Sequence, residues 1–332
     1  MGARFSKADH DKGGYNVVGP SRPSSPPTGP RWPNRRAHWL KRWRVMERLI
    51  EALLFLSAFS SVAITAGIVG ILVYESSFFF AQVPLGDFFT DTLWTPLFAV
   101  PRYGILPLVA GTLVTTAVAL TVALPVGTII AIYLSEFAPD RVREIVKPTL
   151  ELLSAVPTVI YGYFALLFVA PLLQKIIPGL PTFSMLSAGI VMGIMIIPYV
   201  SSLSEDAMRS VPMLLREGSY ALGANRIITA FKVVYPAALS GIAASYILAI
   251  SRAIGETMIV AIAAGMQPNL TLNPMEPAET ITAFIVQVSL GDLPHGSIGY
   301  QSIFAAGLTL FLMTLVFNIA GHILRRRYRE AY

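Results

Sequence analysis

Six predominantly apolar stretches decide what this chain can become: residues 49 to 74, 105 to 135, 150 to 173, 183 to 202, 237 to 265 and 301 to 324. Each supplies the ~20 residues that a helix needs to cross the ~30 Å hydrocarbon layer of a bilayer. Lipid offers no partner to a bare backbone N–H or C=O, so a spanning segment must bond to itself as a helix or join a closed barrel. These runs are continuous and far too long for barrel strands. The expected fold is an all-α membrane protein with six transmembrane helices. Composition agrees, since 54% hydrophobic and 13% charged residues in a chain of 332 lie far from the average of a soluble domain. Pro125, Pro157 and Pro198 fall inside expected spans, where a missing donor bends a helix.

Charge sets the expected orientation. Eleven Lys and Arg lie in residues 1 to 48, three at Arg141, Arg143 and Lys147, four between 203 and 236, and four after the last span. Only Arg102 and Lys175 occupy the opposite loops. The excess of cations on the cytoplasmic side of membrane proteins therefore places both termini and the two basic loops in the cytoplasm, and an even number of spans, which puts both termini on one side, agrees with it. The outward segments 75 to 104 and 266 to 300 are acidic, with Glu75, Asp87, Asp91, Glu276, Glu279 and Asp292, and are long enough to form structured caps.

Residues 1 to 46 are a different material. Six prolines and stretches such as "GPSRPSSPPTGPRWP" leave too little apolar surface to offset the entropy of ordering, so a disordered, basic cytoplasmic tail is expected. The cluster "RRAHWLKRWR" before the first span sets topology and also suits anionic lipid headgroups. Several chemistries lack their residues. No cysteine is present, the four histidines show no metal-ligand spacing, and neither a nucleophile elbow nor a G-x-x-x-x-G-K-[ST] phosphate loop occurs. Any ATP-driven movement must draw on another chain. "GIVMG" at 189 to 193 puts two small residues on one helix face, as helix packing in lipid prefers.

The most specific signal lies between 203 and 236. There "EGSYALGAN" is followed by an amphipathic run ending at Pro236. The pattern resembles the docking loop of ABC importer permeases: an acid, Glu217; two small residues, Gly218 and Ser219; then Ala221, Leu222, Gly223 and Ala224; and a hydrophobic ending at Val233, Tyr235 and Pro236. Gly218 and Ser219 stand where alanines are usual, Val233 where isoleucine is, and Tyr235 where leucine is. Small residues there permit close backbone approach to an ATPase.

The segments 110 to 139, 151 to 163, 194 to 212 and "SRAIGETMIVAIAAG" at 251 to 265 extend the resemblance over roughly residues 50 to 325. They are similar to permeases of phosphate ABC importers, and "GETMIV" favours the PstC type over its PstA-type partner. The resemblance implies a MetI-like domain over 47 to 332 with a coupling loop at 203 to 236. It implies a bacterial inner-membrane location, a second permease of the PstA type and a pair of ATP-binding subunits. An extracytoplasmic phosphate-binding protein completes the set. It also implies no cofactor in this chain, ATP being used by the partner, and no enzymatic activity. A permease for another oxyanion, or a stand-alone secondary anion transporter or channel, remains the alternative.

Arg252 and Glu256 are the charges inside the fifth expected span. An Arg at the bilayer centre costs about 2.5 to 3.5 kcal/mol on insertion scales, so it must face protein or water. Four residues apart on one helix, the two can pair. Arg252 suits a tetrahedral oxyanion, with Glu256 keeping the site from holding it too tightly; a structural ion pair between helices is the other reading. Thr158 and Tyr161, beside Pro157, either offer hydroxyls to the same anion or bond to neighbouring helices. Glu136 and Glu151 read as satisfied carboxylates at span ends.

Overall fold

The computed structural model describes residues 35 to 327, apart from Asp292 and His295. Most of the expected tail lies outside the described residues, and from Arg35 onward the chain is helical. The structure divides after Ala63 into two units. The first, as far as it is described, is the leading part of helix α1, Arg35–Gln82. Its side chains from 46 to 63 are all exposed within this chain, and they are mostly apolar.

The second unit is a helical bundle. The end of α1 leads to the short α2, Leu85–Thr90, and then to α3, Leu106–Phe137. The surface helix α4 covers Asp140–Ser154, and α5 covers Thr158–Ile176. The long α6, Met185–Arg209, is followed by α7, Met213–Ala221, and α8, Arg226–Ala237. Then come α9, Leu239–Ile254; α10, Met258–Ala263; α11, Ile281–Ser289; and α12, Ile298–Arg327.

Among the described residues five helices are long and apolar enough to cross a membrane, and six if α8 and α9, bent by 69° at Ala238, count as one span. Two expected spans need correction. The third begins at Thr158 rather than 150, because Pro157 caps a new helix and residues 150 to 154 close the amphipathic α4, which has no buried side chain. The fifth does not run from 237 to 265: α9 stops at Ile254, and α10 starts only at Met258. Gly255 provides the break. Pro125 and Pro198, in contrast, lie inside α3 and α6. Glu75 belongs to α1 and not to a loop.

Between helices surrounded by lipid, packing depends on close approach rather than on expulsion of water. The α3–α6 seam shows it at the "GIVMG" glycines. A Cβ on Gly189 would stand 2.7 Å from the Val118 Cβ, and one on Gly193 would stand 2.7 Å from the Ala119 carbonyl oxygen. Around this seam α3, α5, α6, α9 and α10 bury Ala119, Tyr161, Met192, Met195, Ala253 and Ile259 in one core. A second core at one end joins Phe79, Phe88, Trp94, Leu108 and Phe284 from α1, α2, the loop after α2, α3 and α11. The segments expected to form caps are thus structured. Trp94 pairs with Tyr103 across a short bridge and stacks edge-to-face on Phe284 at 4.9 Å. A third core, with Ile132, Met208, Val234 and Ile242, closes the other end.

Candidate functional site

The end of the bundle that carries residues 203 to 236 is built from charge. Glu205, on the last turns of α6, is fully buried yet paired with three cations: Arg143 donates to it at 2.7 Å and Lys147 at 2.8 Å, both from α4, and Arg209 of its own helix stands at 3.8 Å. Lys147 also donates to Asp206 at 2.6 Å. Burial alone would pull the Lys147 ammonium down, but the hydrogen bonds to Asp206 and Glu205 outweigh it and hold its pKa above the ordinary value. Nearby, buried Arg216 of α7 grips Glu136 at the end of α3 with Nη2 at 2.8 Å and Nε at 3.3 Å. Its remaining donors reach the carbonyls of Val211, at 2.6 Å, and Met208, at 2.9 Å. A buried guanidinium bonded at each of its three nitrogens is a rigid anchor. The satisfied carboxylate expected at Glu136 is half of a buried ion pair. No local pattern marks Arg216, because only tertiary structure brings it across 80 positions to Glu136.

That anchor holds a small two-helix head. Ser219 and Thr229, both buried, bond to each other at 2.9 Å and tie α7 to α8. Gly223 ends α7 in the left-handed region at φ +83°, with its N–H donating to the Tyr220 carbonyl at 2.9 Å. Asn225 then caps α8 by accepting from the Ile228 N–H at 2.8 Å. Gly223 is thus demanded by the backbone turn, since a Cβ there would meet nothing else in this chain. Glu217, Gly218, Ala221 and Leu222 all face outward, Leu222 at 90% exposure, with Leu214 and Ile227 beside them. Ala224 is half-buried, and Pro236 sits in α8 just before the bend. The head presents an apolar surface on a fixed base.

The charges of "SRAIGETMIV" come out differently from expectation. Arg252 lies in the last turn of α9, but Glu256 lies beyond the helix end, so the two do not share a helix face and no ion pair joins them. Glu256 instead turns to α10, accepting from the N–H of Met258 at 3.2 Å and of Ile259 at 3.5 Å. Those are two donors that a helix start leaves open, so the carboxylate acts as a cap. Arg252 lays its guanidinium over the Tyr199 ring at 4.4 Å, and its buried Nε has no hydrogen-bond partner. Tyr161 is occupied, donating to the Leu153 carbonyl at 2.7 Å across the α4–α5 break. Thr158 begins α5 half-buried. One turn later Gly162 packs on α10, where an added Cβ would stand 3.2 Å from the Met258 carbonyl oxygen. Two broken spans therefore start side by side, next to one cation with a spare donor. Among the described residues no group of three or more acidic or histidine side chains is placed to hold a metal ion.

A bundle of broken and bent spans, with a rigidly anchored helical head at one end, defines a transport component. Residues 123 to 330 match the family described as binding-protein-dependent transport system inner membrane component, and the chain belongs to it. It is a permease subunit of an ABC importer and not an enzyme. Among its relatives is the probable ABC transporter permease protein YqgH of Bacillus subtilis, 34% identical over 83% of this chain and 88% of that one. Another is the phosphate transport system permease protein PstC of Mesorhizobium japonicum, 33% identical over 72% of this chain and 78% of that one. The same fold is seen in a solved bacterial alginate ABC transporter in complex with an alginate pentasaccharide-bound periplasmic protein. Its matching chain superposes with a TM-score of 0.56 at 18% identity, over 91% of this chain and 99% of that one.

Proposed function

We propose that this chain is the PstC-type permease of a phosphate importer, forming half of a translocation pathway whose other half is a PstA-type permease. The observation that carries the reading is its likeness, along most of both chains, to permeases named for phosphate transport. The bundle then sits in a bacterial inner membrane with both termini and the α7–α8 head in the cytoplasm, as the cation distribution favours. A pair of ATP-binding subunits, which use the ATP, docks on the exposed surface around Glu217, Gly218, Ala221 and Leu222. Ser219, Gly223, Ala224 and Pro236 shape that surface from beneath. A phosphate-binding protein delivers cargo at the opposite end.

Within the pathway Arg252 is the stepping stone. Its permanent charge and forked donors suit a tetrahedral oxyanion, and its unpartnered Nε is the donor left to meet one. Thr158 adds a hydroxyl at the neighbouring helix start, while Glu256 and Tyr161 hold the two breaks open by their backbone bonds. Because Glu256 is already engaged with α10, Arg252→Gln strands no ion-pair partner. In proteoliposomes of the assembled transporter, Arg252→Gln should cut phosphate uptake at least tenfold with normal assembly, and Arg252→Lys should retain part of it. Native uptake by the Gln variant would refute the pathway role, and a native complex that moves sulfate but not phosphate would refute the cargo.

A further inference from the structure

At the end of the bundle opposite the α7–α8 head lies a cavity of about 550 Å³. The loop after α2 contributes Trp94, the strand of chain between α10 and α11 contributes Gln267 and Glu279, and α11 contributes Gln287. The end is fixed by α6, which starts beside Ala263 and Glu276 and finishes at the head. Two of the lining side chains are about 1% exposed, and each holds a polar atom without a partner: Trp94 Nε1 and Glu279 Oε1.

Buried polar atoms are seldom left unbonded, and two in one cavity call for a ligand. Glu279 is not loosely placed. Its N–H donates to the Gln267 carbonyl at 2.9 Å, and its own carbonyl lies so close to Gly111 of α3 that an added Cβ there would come within 2.3 Å. No ion pair to it forms among the described residues. On the elements packed around it, Asp91 and Arg102 pair with each other at 2.8 Å, and Glu276 is held by the Asn273 and Asn269 amides. Glu256 caps α10, and the Tyr103 phenol, pushed up by burial, packs against Trp94.

The chemistry of the orphaned atoms selects the ligand. An indole N–H can only donate, so whatever meets Trp94 must accept. A buried carboxyl that keeps its proton donates as well, and burial pushes Glu279 up to about 8. Gln267 and Gln287 add amide donors. A metal cation has only one carboxylate here and meets donors elsewhere.

Resting on the phosphate reading above, we infer that this cavity is an oxyanion subsite separate from Arg252, in which the buried, unpartnered groups of Glu279 and Trp94 meet arriving cargo. Such a neutral site passes an anion on more readily than a second fixed cation would.

The test uses the intact importer in proteoliposomes, with phosphate-loaded binding protein outside and ATP inside. Uptake per assembled complex is divided by ATP hydrolysis, which removes pH effects on the other subunits. The protonated fraction of a group titrating near 8 falls about tenfold between pH 7 and 9, and native coupled uptake should follow it. Glu279→Gln keeps a donor of the same shape at all pH values, so its coupled uptake should stay flat over that range. Trp94→Phe keeps the stacking on Phe284 but deletes the N–H, and should lower coupled uptake about tenfold at pH 7. If Glu279→Gln retains the native alkaline fall, or Trp94→Phe retains the native rate, the subsite does not exist and water alone satisfies these atoms. A native complex inactive towards phosphate at every pH would count against the cargo reading instead.

Discussion

Glu205 and Glu279 are equally hidden, at 0% and 1% exposure, at opposite ends of one bundle, and they are opposites in every other respect. Glu205 receives three cations, two of them through hydrogen bonds; among the described residues Glu279 receives none. The first kind of burial fixes structure, because each charge is matched where it is taken from water. The second leaves unspent bonding capacity facing a cavity. The end that carries the α7–α8 head is thus made stiff, while the opposite end keeps polar groups in reserve.

The largest effect is expected where the matching is most complete. Glu136→Gln leaves the Arg216 guanidinium buried without its countercharge and should destabilise the permease by about 3 to 5 kcal/mol. Thermal unfolding of the purified complex reads this directly, and an unchanged melting temperature would remove Arg216 as the anchor of the head. Glu205→Gln should cost about 2 kcal/mol, less because Arg143 and Lys147 are partly exposed and find water.

A change in the head itself should leave stability intact. Gly218 is exposed, lies within α7, and has open space where a Cβ would point. Gly218→Leu therefore favours the helix but obstructs a docked partner, and should lower uptake about tenfold, some 1.4 kcal/mol in coupling, at normal abundance. Gly223 is a poorer probe, because any substitution there also strains a left-handed turn. Normal coupling in the Gly218 variant would move the docking surface elsewhere.

The smallest effect separates the two glutamates by sign. Burial raises the folded-state pKa of Glu279 from 4.5 to about 8, so between those values the folded protein holds a proton that the unfolded chain has released. Stability should fall as pH rises through that window, and Glu279→Gln should flatten this part of the slope. At neutral pH the substitution should be neutral or mildly stabilising, in contrast to Glu205→Gln. A loss as large as that of Glu205→Gln would mean that Glu279 is ionised and paired.

Much of this was legible in the residues. The apolar runs identify a helical membrane protein, because lipid leaves a bare backbone no alternative. The "GIVMG" glycines mark a tight seam, and the spacing from Glu217 to Pro236 marks the head. These signals are local: a span, a turn or a small-residue face is written within a few consecutive positions. The breaks at Pro157 and Gly255 were less legible, because an apolar run looks the same whether it is crossed by one helix or by two. Arg252 and Glu256, four residues apart, suggested a pair that the end of α9 forbids. What only the tertiary structure decided is which buried charge meets which partner. Arg216 finds Glu136 across 80 positions, Lys147 finds Glu205 across 58, and Glu279 finds no cation among the described residues, because those outcomes depend on how distant helices converge and not on any residue's neighbours in the chain.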